Sequence, residues 1–215
     1  MDWRYYNHAI LPATAPNTPP DLALIKNGEI WKEFKDKKPL LIRWTTDFDC
    51  GYETDWWYCI KDNKFDISAL NSNNRRKINL GNKYFDVKLI NPFDYKEELY
   101  EIECLAIASW PWKYRPKNKK NEFIERLEQS SGINFFGAFE KGSNKLVGYA
   151  TNKDCEEYVE FLTQRVIPTY EKYKINNAIV YGICEFYKDR FNNGFFIFLL
   201  YVTLDVALQR FYIHL

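Results

Sequence analysis

Histidine is almost absent from this 215-residue chain: His8 and His214, both near the ends, are the only two. A histidine-based metal site or a Cys-His dyad is therefore not expected. The five cysteines, Cys50, Cys59, Cys104, Cys155 and Cys184, are odd in number, widely spread and form no CxxC pair. That pattern calls for neither a disulfide framework nor a zinc site, and no metal is expected. An excess of one charge is also missing, since 30 Lys and Arg face 29 Asp and Glu for a net charge of +1. Such a balance gives no overall pull towards nucleic acid or an anionic membrane, so neither is an expected partner. The first six residues contain no apolar run of signal-peptide length. The most apolar stretch, residues 195–202, falls far short of the ~20 residues a spanning helix needs. A cytoplasmic location is the reading these absences support, and no internal repeat is visible.

What the chain does have is aromatic rings: 16 Tyr, 16 Phe and 7 Trp, enough to furnish a core, a binding cleft or both. The opening segment ends in "LPATAPNTPP", whose prolines preclude a regular helix and predict an extended lead-in. "PLLIRW" (39–44) and "WWYCI" (56–60) read as buried strands, and "NSNNRRKINLGNKY" as a polar, basic connection, with a soft domain boundary near Asn82.

Beyond that boundary the order of elements carries information. Residues 84–90 read as a strand, and 92–110 as a helix opened by proline, with apolar spacing through Leu99, Ile102, Leu105 and Ile107. "PWKYRPKNKK" breaks it, and "NEFIERLEQSSG" is a short second helix ended by Gly132. Strands follow at 134–140, 145–152 and 157–167, the first two joined by the "KGSN" turn. A helix over 176–191 and a continuous apolar strand over 195–202 complete the series. Strand, two helices, three antiparallel strands, helix, strand is the order of a mixed sheet with helices on both faces.

Over residues 84–202 this order resembles the GNAT superfamily of acyl-CoA-dependent N-acyltransferases. In that family a strand runs through V-x-P-x-x-[Q/R]-x-x-G-x-[G/A] into a helix, and turn N–H groups hold the coenzyme A pyrophosphate. Here Val166 and Pro168 match the opening, Glu171 stands at the Gln/Arg position, and Lys174 and Asn176 stand at the two glycine positions. The carboxylate at 171 would repel a pyrophosphate and side chains at 174 and 176 would crowd it, while Lys172 and Lys174 would add positive charge. Asn176 or Asn177 as a plain helix cap is the alternative reading of the same loop. What the resemblance implies is an α+β fold: a GNAT-like mixed, mainly antiparallel sheet flanked by helices, over residues 83–215. Residues 1–82 would form a β-rich N-terminal extension.

The resemblance further implies acetyl-CoA or another acyl-CoA as co-substrate, held by Arg165, Val166, Glu171, Lys172, Lys174, Asn176 and Asn177. It also places a general base at Glu160. Period-two alternation sets Tyr158, Glu160, Leu162 and Gln164 on one face, and a desolvated carboxylate there would take a proton from an acceptor ammonium. A solvated strand glutamate is the plainer reading.

A second segment, "FDISALNSNNRRKINLG" (65–81), is similar to the R-x-x-I-x-x-G stretch of FemAB-like transferases, through Arg75 or Arg76, Ile78 and Gly81. Two aromatic clusters, "YETDWWY" (52–58) and "SWPWKYRP" (109–116), contain Trp56, Trp57, Trp110, Trp112 and Tyr114. These five are the candidate acceptor contacts, suited to stacking on a sugar amine or other small-molecule acceptor. Thirteen residues follow Val202, too few for the helix and final hairpin of the family pattern. The expectation is a GNAT-like domain without that hairpin, with Tyr212 as the substitute proton donor to the thiolate and an open edge on strand 195–202 that invites a homodimer.

Three functions remain open at this point: an N-acyltransferase acting on an amine, with an amino sugar of bacterial surface polysaccharide as the acceptor suggested by the resemblance; an inactive or truncated GNAT-fold binding protein; and a FemAB-like aminoacyl transferase.

Overall fold

The computed structural model describes residues 3–6, 8–46, 51, 59–193 and 195–199. The chain divides into two compact units, Met1–Thr54 and Asp55–Leu215. In the first, β1 (Trp3–Tyr6) and β2 (Ala9–Pro12) pair antiparallel, and β2 pairs parallel with β3 (Leu41–Ile42). Helices α1 (Leu22–Lys26) and α2 (Glu29–Glu33) come between β2 and β3. Asp21 opens α1 by accepting from the Ala23 N–H at 2.9 Å. The segment read as an extended lead-in therefore starts as a hairpin. Alternation buries one side of β1, so that Trp3 and Tyr5 pack with Ile10, Ile30 and Phe34.

The second unit is built on a six-stranded sheet in the order β4-β9-β8-β7-β6-β5. Its strands are β4 (Cys59–Lys61), β5 (Phe85–Ile90), β6 (Ile133–Glu140), β7 (Leu146–Asp154), β8 (Tyr158–Val166) and β9 (Phe196–Leu199). β5 to β8 are antiparallel to one another in sequence, while β9 runs parallel to β8. Helices α3 (Ser72–Tyr84), α4 (Lys96–Ala108), α5 (Lys120–Glu128) and α6 (Ile175–Phe186) complete it. The apolar face of α6, with Ile175, Ala178, Ile179 and Ile183 all buried, lies on β5 to β7. α4 lies on the other face, where its side chains reach β7 and β8. A four-stranded antiparallel sheet flanked by helices is thus the α+β arrangement expected.

Two expectations are corrected. The polar stretch read as a connection is α3, opened by Asn71, whose side chain accepts from the Asn74 N–H at 2.9 Å. The face of α3 that is buried consists of Asn74, Ile78 and Gly81, a helical stripe with a single large apolar member. A Cβ on Gly81 would come within 2.6 Å of the Lys174 carbonyl oxygen, so this glycine lets α3 approach the start of α6 closely. The boundary expected near Asn82 consequently falls inside α3, and the division lies at Thr54.

The second correction concerns the edge of β9. Cys59, Ile60 and Lys61 of β4 pair antiparallel with Leu199, Phe198 and Ile197. Over these residues the edge is covered from within the chain, which removes the reason for expecting a second copy there.

Candidate functional site

β8 is where the expected site residues converge. Its register with β7 slips between Thr151 and Asn152, whose partners are Thr163 and Phe161, leaving Leu162 as the extra residue of a bulge. The bulge corrects the simple alternation. Glu160, Thr163 and Arg165 stand opposite Lys153, Thr151 and Tyr149 and share the α4 face, whereas Gln164 stands opposite Ala150 on the α6 face. Glu160 is buried.

β8 pairs with β9 from Tyr158 to Phe161, and residues 162–166 have no strand partner on that side among the described residues. The Ile167 N–H bonds the Val147 carbonyl of β7 at 3.0 Å. Backbone alternation then turns the Arg165 N–H to the β7 side, and the Gln164 and Val166 N–H groups away from β7.

After β8 the chain runs through a 3-10 turn (Pro168–Tyr173) into α6. Lys174, at the first glycine position of the motif, adopts φ 63° and ψ 37°, the left-handed conformation that favours glycine. Its carbonyl accepts from the N–H groups of Asn177 and Ala178 at 3.1 and 3.2 Å. Asn176, at the second position, accepts from Gln164 Nε2 at 2.6 Å and ties the helix start to β8. Glu171 and Lys172 are exposed, with the Lys172 ammonium over the Tyr173 ring. Among the described residues, Gln164 Oε1, Asn177 Nδ2 and both amide atoms of Asn152 are buried without a hydrogen-bond partner. Orphaned groups of this kind are uncommon in native interiors and mark places where water or a ligand completes the bonding.

The opposite face holds a cluster that sequence reasoning missed. Tyr149 donates to Glu103 Oε2 at 2.7 Å, and Arg165 Nε lies 3.1 Å from the same oxygen, as a close ion pair rather than an aligned hydrogen bond. The Arg165 guanidinium also lies over the Trp110 ring, 5.3 Å from its centroid. Burial, then the Glu103 charge and the hydrogen bond to it, raise the Tyr149 pKa well above the ordinary phenol value, so the phenol stays a donor. The available signal was Glu103 itself, a carboxylate inside the buried stripe Leu99, Ile102, Glu103, Ala106 and Ile107 of α4.

Among the other candidates, Trp110 is half-buried beside Arg165, while Trp112, in a 3-10 turn, is 83% exposed. Trp56, Trp57 and Tyr212, and the side chain of Tyr114, lie outside the described residues. Arg75 donates to the Ser68 carbonyl at 2.8 Å, and Ile78 and Gly81 are packing residues. A cavity of about 370 Å³ lies at Lys64, Phe65, Asp66, Ile67, Tyr181 and Glu185; it includes no candidate residue, so cavity volume does not locate the site. Among the described residues no group of three potential metal ligands occurs, and no helix is long and apolar enough to cross a membrane.

No protein-family model matches the sequence, and no curated protein matches it. Solved structures do match. FemX is similar with a TM-score of 0.51 at 7% identity, over 69% of this chain and 54% of that one. The PaiA N-acetyltransferase of Thermoplasma acidophilum, solved with coenzyme A, aligns over 49% of this chain and 73% of that one, at 19% identity and a TM-score of 0.38. The glucosamine N-acetyltransferase region of a fungal multi-domain beta-N-acetylglucosaminidase aligns over 51% of this chain and 13% of that one, at 14% identity and a TM-score of 0.40. The likeness to FemX shows a shared fold over that part of the chain, and the other two structures are N-acetyltransferases.

Proposed function

We propose that the second unit is an N-acyltransferase that moves an acyl group from acyl-CoA to an amine, with an amino sugar as the first acceptor class to test. The observation that carries this reading is the turn after β8, which holds Lys174, at the first glycine position of the motif, at a left-handed φ of 63°. A non-glycine residue in that conformation costs ~1–2 kcal/mol, so the glycine-type turn is kept although the glycine is not.

The loop fits the coenzyme in part. Lys172 and Lys174 supply positive charge and the start of α6 supplies backbone donors, which would take the pyrophosphate. Gln164 Oε1 and Asn177 Nδ2, buried and without a partner among the described residues, offer hydrogen bonds to a polar ligand beside the strand. Bound acyl-CoA would supply the thioester. The Val166 N–H, turned away from β7, would polarise a carbonyl beside it. Glu160, on the α4 face, would take the proton from the acceptor ammonium, directly or through water, so that the amine attacks in its neutral form. In this reading the coenzyme loop and the base lie on opposite faces of β8, which lets donor and acceptor approach the strand from different sides.

A second reading is favoured by the Gln164–Asn176 hydrogen bond, which lies at the second glycine position and would have to yield to a coenzyme. In that reading the unit is a binding module without turnover. A FemAB-like aminoacyl transfer is the third, supported by the FemX likeness over 69% of the chain; retention on charged tRNA at moderate salt is its test.

Thermal-shift titration with acetyl-CoA and free CoA separates the first two. The transferase reading predicts a melting temperature that climbs with ligand, since a ligand at 100 times its Kd adds about 2.7 kcal/mol. No shift at millimolar ligand would count against it. With binding established, Glu160→Gln should lower turnover by about 10²-fold or more while leaving coenzyme affinity near its original value. Unchanged turnover would remove Glu160 from the mechanism.

A further inference from the structure

We infer that Arg165 and Arg115, gathered on Trp110, form a recognition site for an anionic group, a carboxylate or a phosphate, carried by the acceptor. This assignment rests on the transferase reading for calling that molecule an acceptor, and on independent geometry for the anion.

Arg165 is held on three sides. Its Nε faces Glu103 at 3.1 Å, its Nη1 donates to the Gln164 carbonyl at 3.0 Å, and its plane lies over the Trp110 ring. Glu103 is fixed in turn by the Tyr149 phenol at 2.7 Å, so the carboxylate that orients the arginine is itself locked. The Arg165 side chain remains 24% exposed although Nε is shut away from solvent, and its Nη2 has no partner among the described residues. A guanidinium fixed at its inner edge, backed by a ring and with outer N–H groups left over, presents a rigid fork that matches a carboxylate or phosphate.

The second arginine comes from the loop after α4. Arg115 Nε donates to the Trp110 carbonyl at 2.6 Å, which ties an exposed guanidinium to the residue that carries Arg165 on its ring. The loop itself runs Trp112, Lys113, Tyr114, Arg115, Pro116, Lys117, with no acidic residue among the six. Glu103 cancels one charge of the pair from the buried side, and the loop restores a positive field at the outer side. Arg165 also shares the α4 face of β8 with Glu160, two partner positions along β7, from Tyr149 to Lys153. An acceptor anchored by its anion at Arg165 would lie along this face with its amine towards Glu160.

Isothermal titration of the full chain with two matched pairs tests the assignment: glucosamine 6-phosphate against glucosamine, and L-alanine against L-alaninamide. In at least one pair the member that carries the phosphate or carboxylate should bind at least about tenfold more tightly than the partner that lacks it, and the favoured pair tells phosphate from carboxylate. The double variant Arg165→Gln/Glu103→Gln keeps the buried charge balance and should abolish the preference, and Arg115→Gln should reduce it. Equal affinities within both pairs, no binding of any probe at about 10 mM, or a preference that survives the double variant would overturn the site. Acetyl-CoA titration of the same wild-type sample reports the transferase reading separately. Anion preference without coenzyme binding would leave a binding site on a protein that is no acyltransferase, and coenzyme binding without anion preference would leave a transferase whose acceptor is recognised otherwise.

Discussion

Glu103 and Tyr149 show how single residues set this site. A buried carboxylate in an apolar helix stripe is costly unless it is both paired and hydrogen-bonded, and Arg165 and Tyr149 meet those two needs. Tyr149→Phe leaves Glu103 without its neutral donor and should destabilise the chain by about 1.5–3 kcal/mol, measured by urea unfolding. The same pair makes stability depend on alkaline pH. Because the folded-state pKa of Tyr149 is raised, its contribution is present in full below the ordinary phenol value of about 10 and is lost as pH climbs through the folded value. Wild type should therefore lose stability more steeply than Tyr149→Phe above about pH 10; parallel profiles would mean that the phenol does not carry this coupling. Neither residue was visible as a site in the sequence, because strand alternation explains a tyrosine and helix chemistry explains a glutamate without any pairing between them. Their meeting is a tertiary fact.

Elements were legible where hydrophobic periodicity was strong and hidden where it was weak. Strands β5 to β8 and helices α4 and α6 fall within a few residues of the segments read from the sequence. α3 was missed because its buried stripe is Asn74, Ile78 and Gly81, which reads as polar. Gly81 is a sensitive test of how that helix docks. Alanine there would gain about 1 kcal/mol of helix propensity in isolation, but its Cβ would meet the Lys174 carbonyl at 2.6 Å and Ala178 Cβ at 3.0 Å. Gly81→Ala should thus lower stability by about 1–3 kcal/mol in chemical denaturation; a stabilised variant would show that α3 does not approach α6 so closely. The faces of β8 were also misjudged beyond Leu162, since a bulge inserts a residue that period-two reasoning does not anticipate.

At the scale of the whole molecule, the order of elements was enough to name the fold, while the division of the chain was not. β4 and α3 precede the expected boundary in sequence, yet both belong to the second unit: β4 covers β9, and α3 packs on α6. Such long-range pairing leaves no local signature. The central proposal is that the second unit binds acyl-CoA along residues 164–166 of β8 and at the start of α6. Amide hydrogen exchange with and without acetyl-CoA tests it most directly. The account predicts slower exchange at Gln164 and Val166 and across residues 172–177 on binding; protection confined to other segments, or none at saturating ligand, would contradict it.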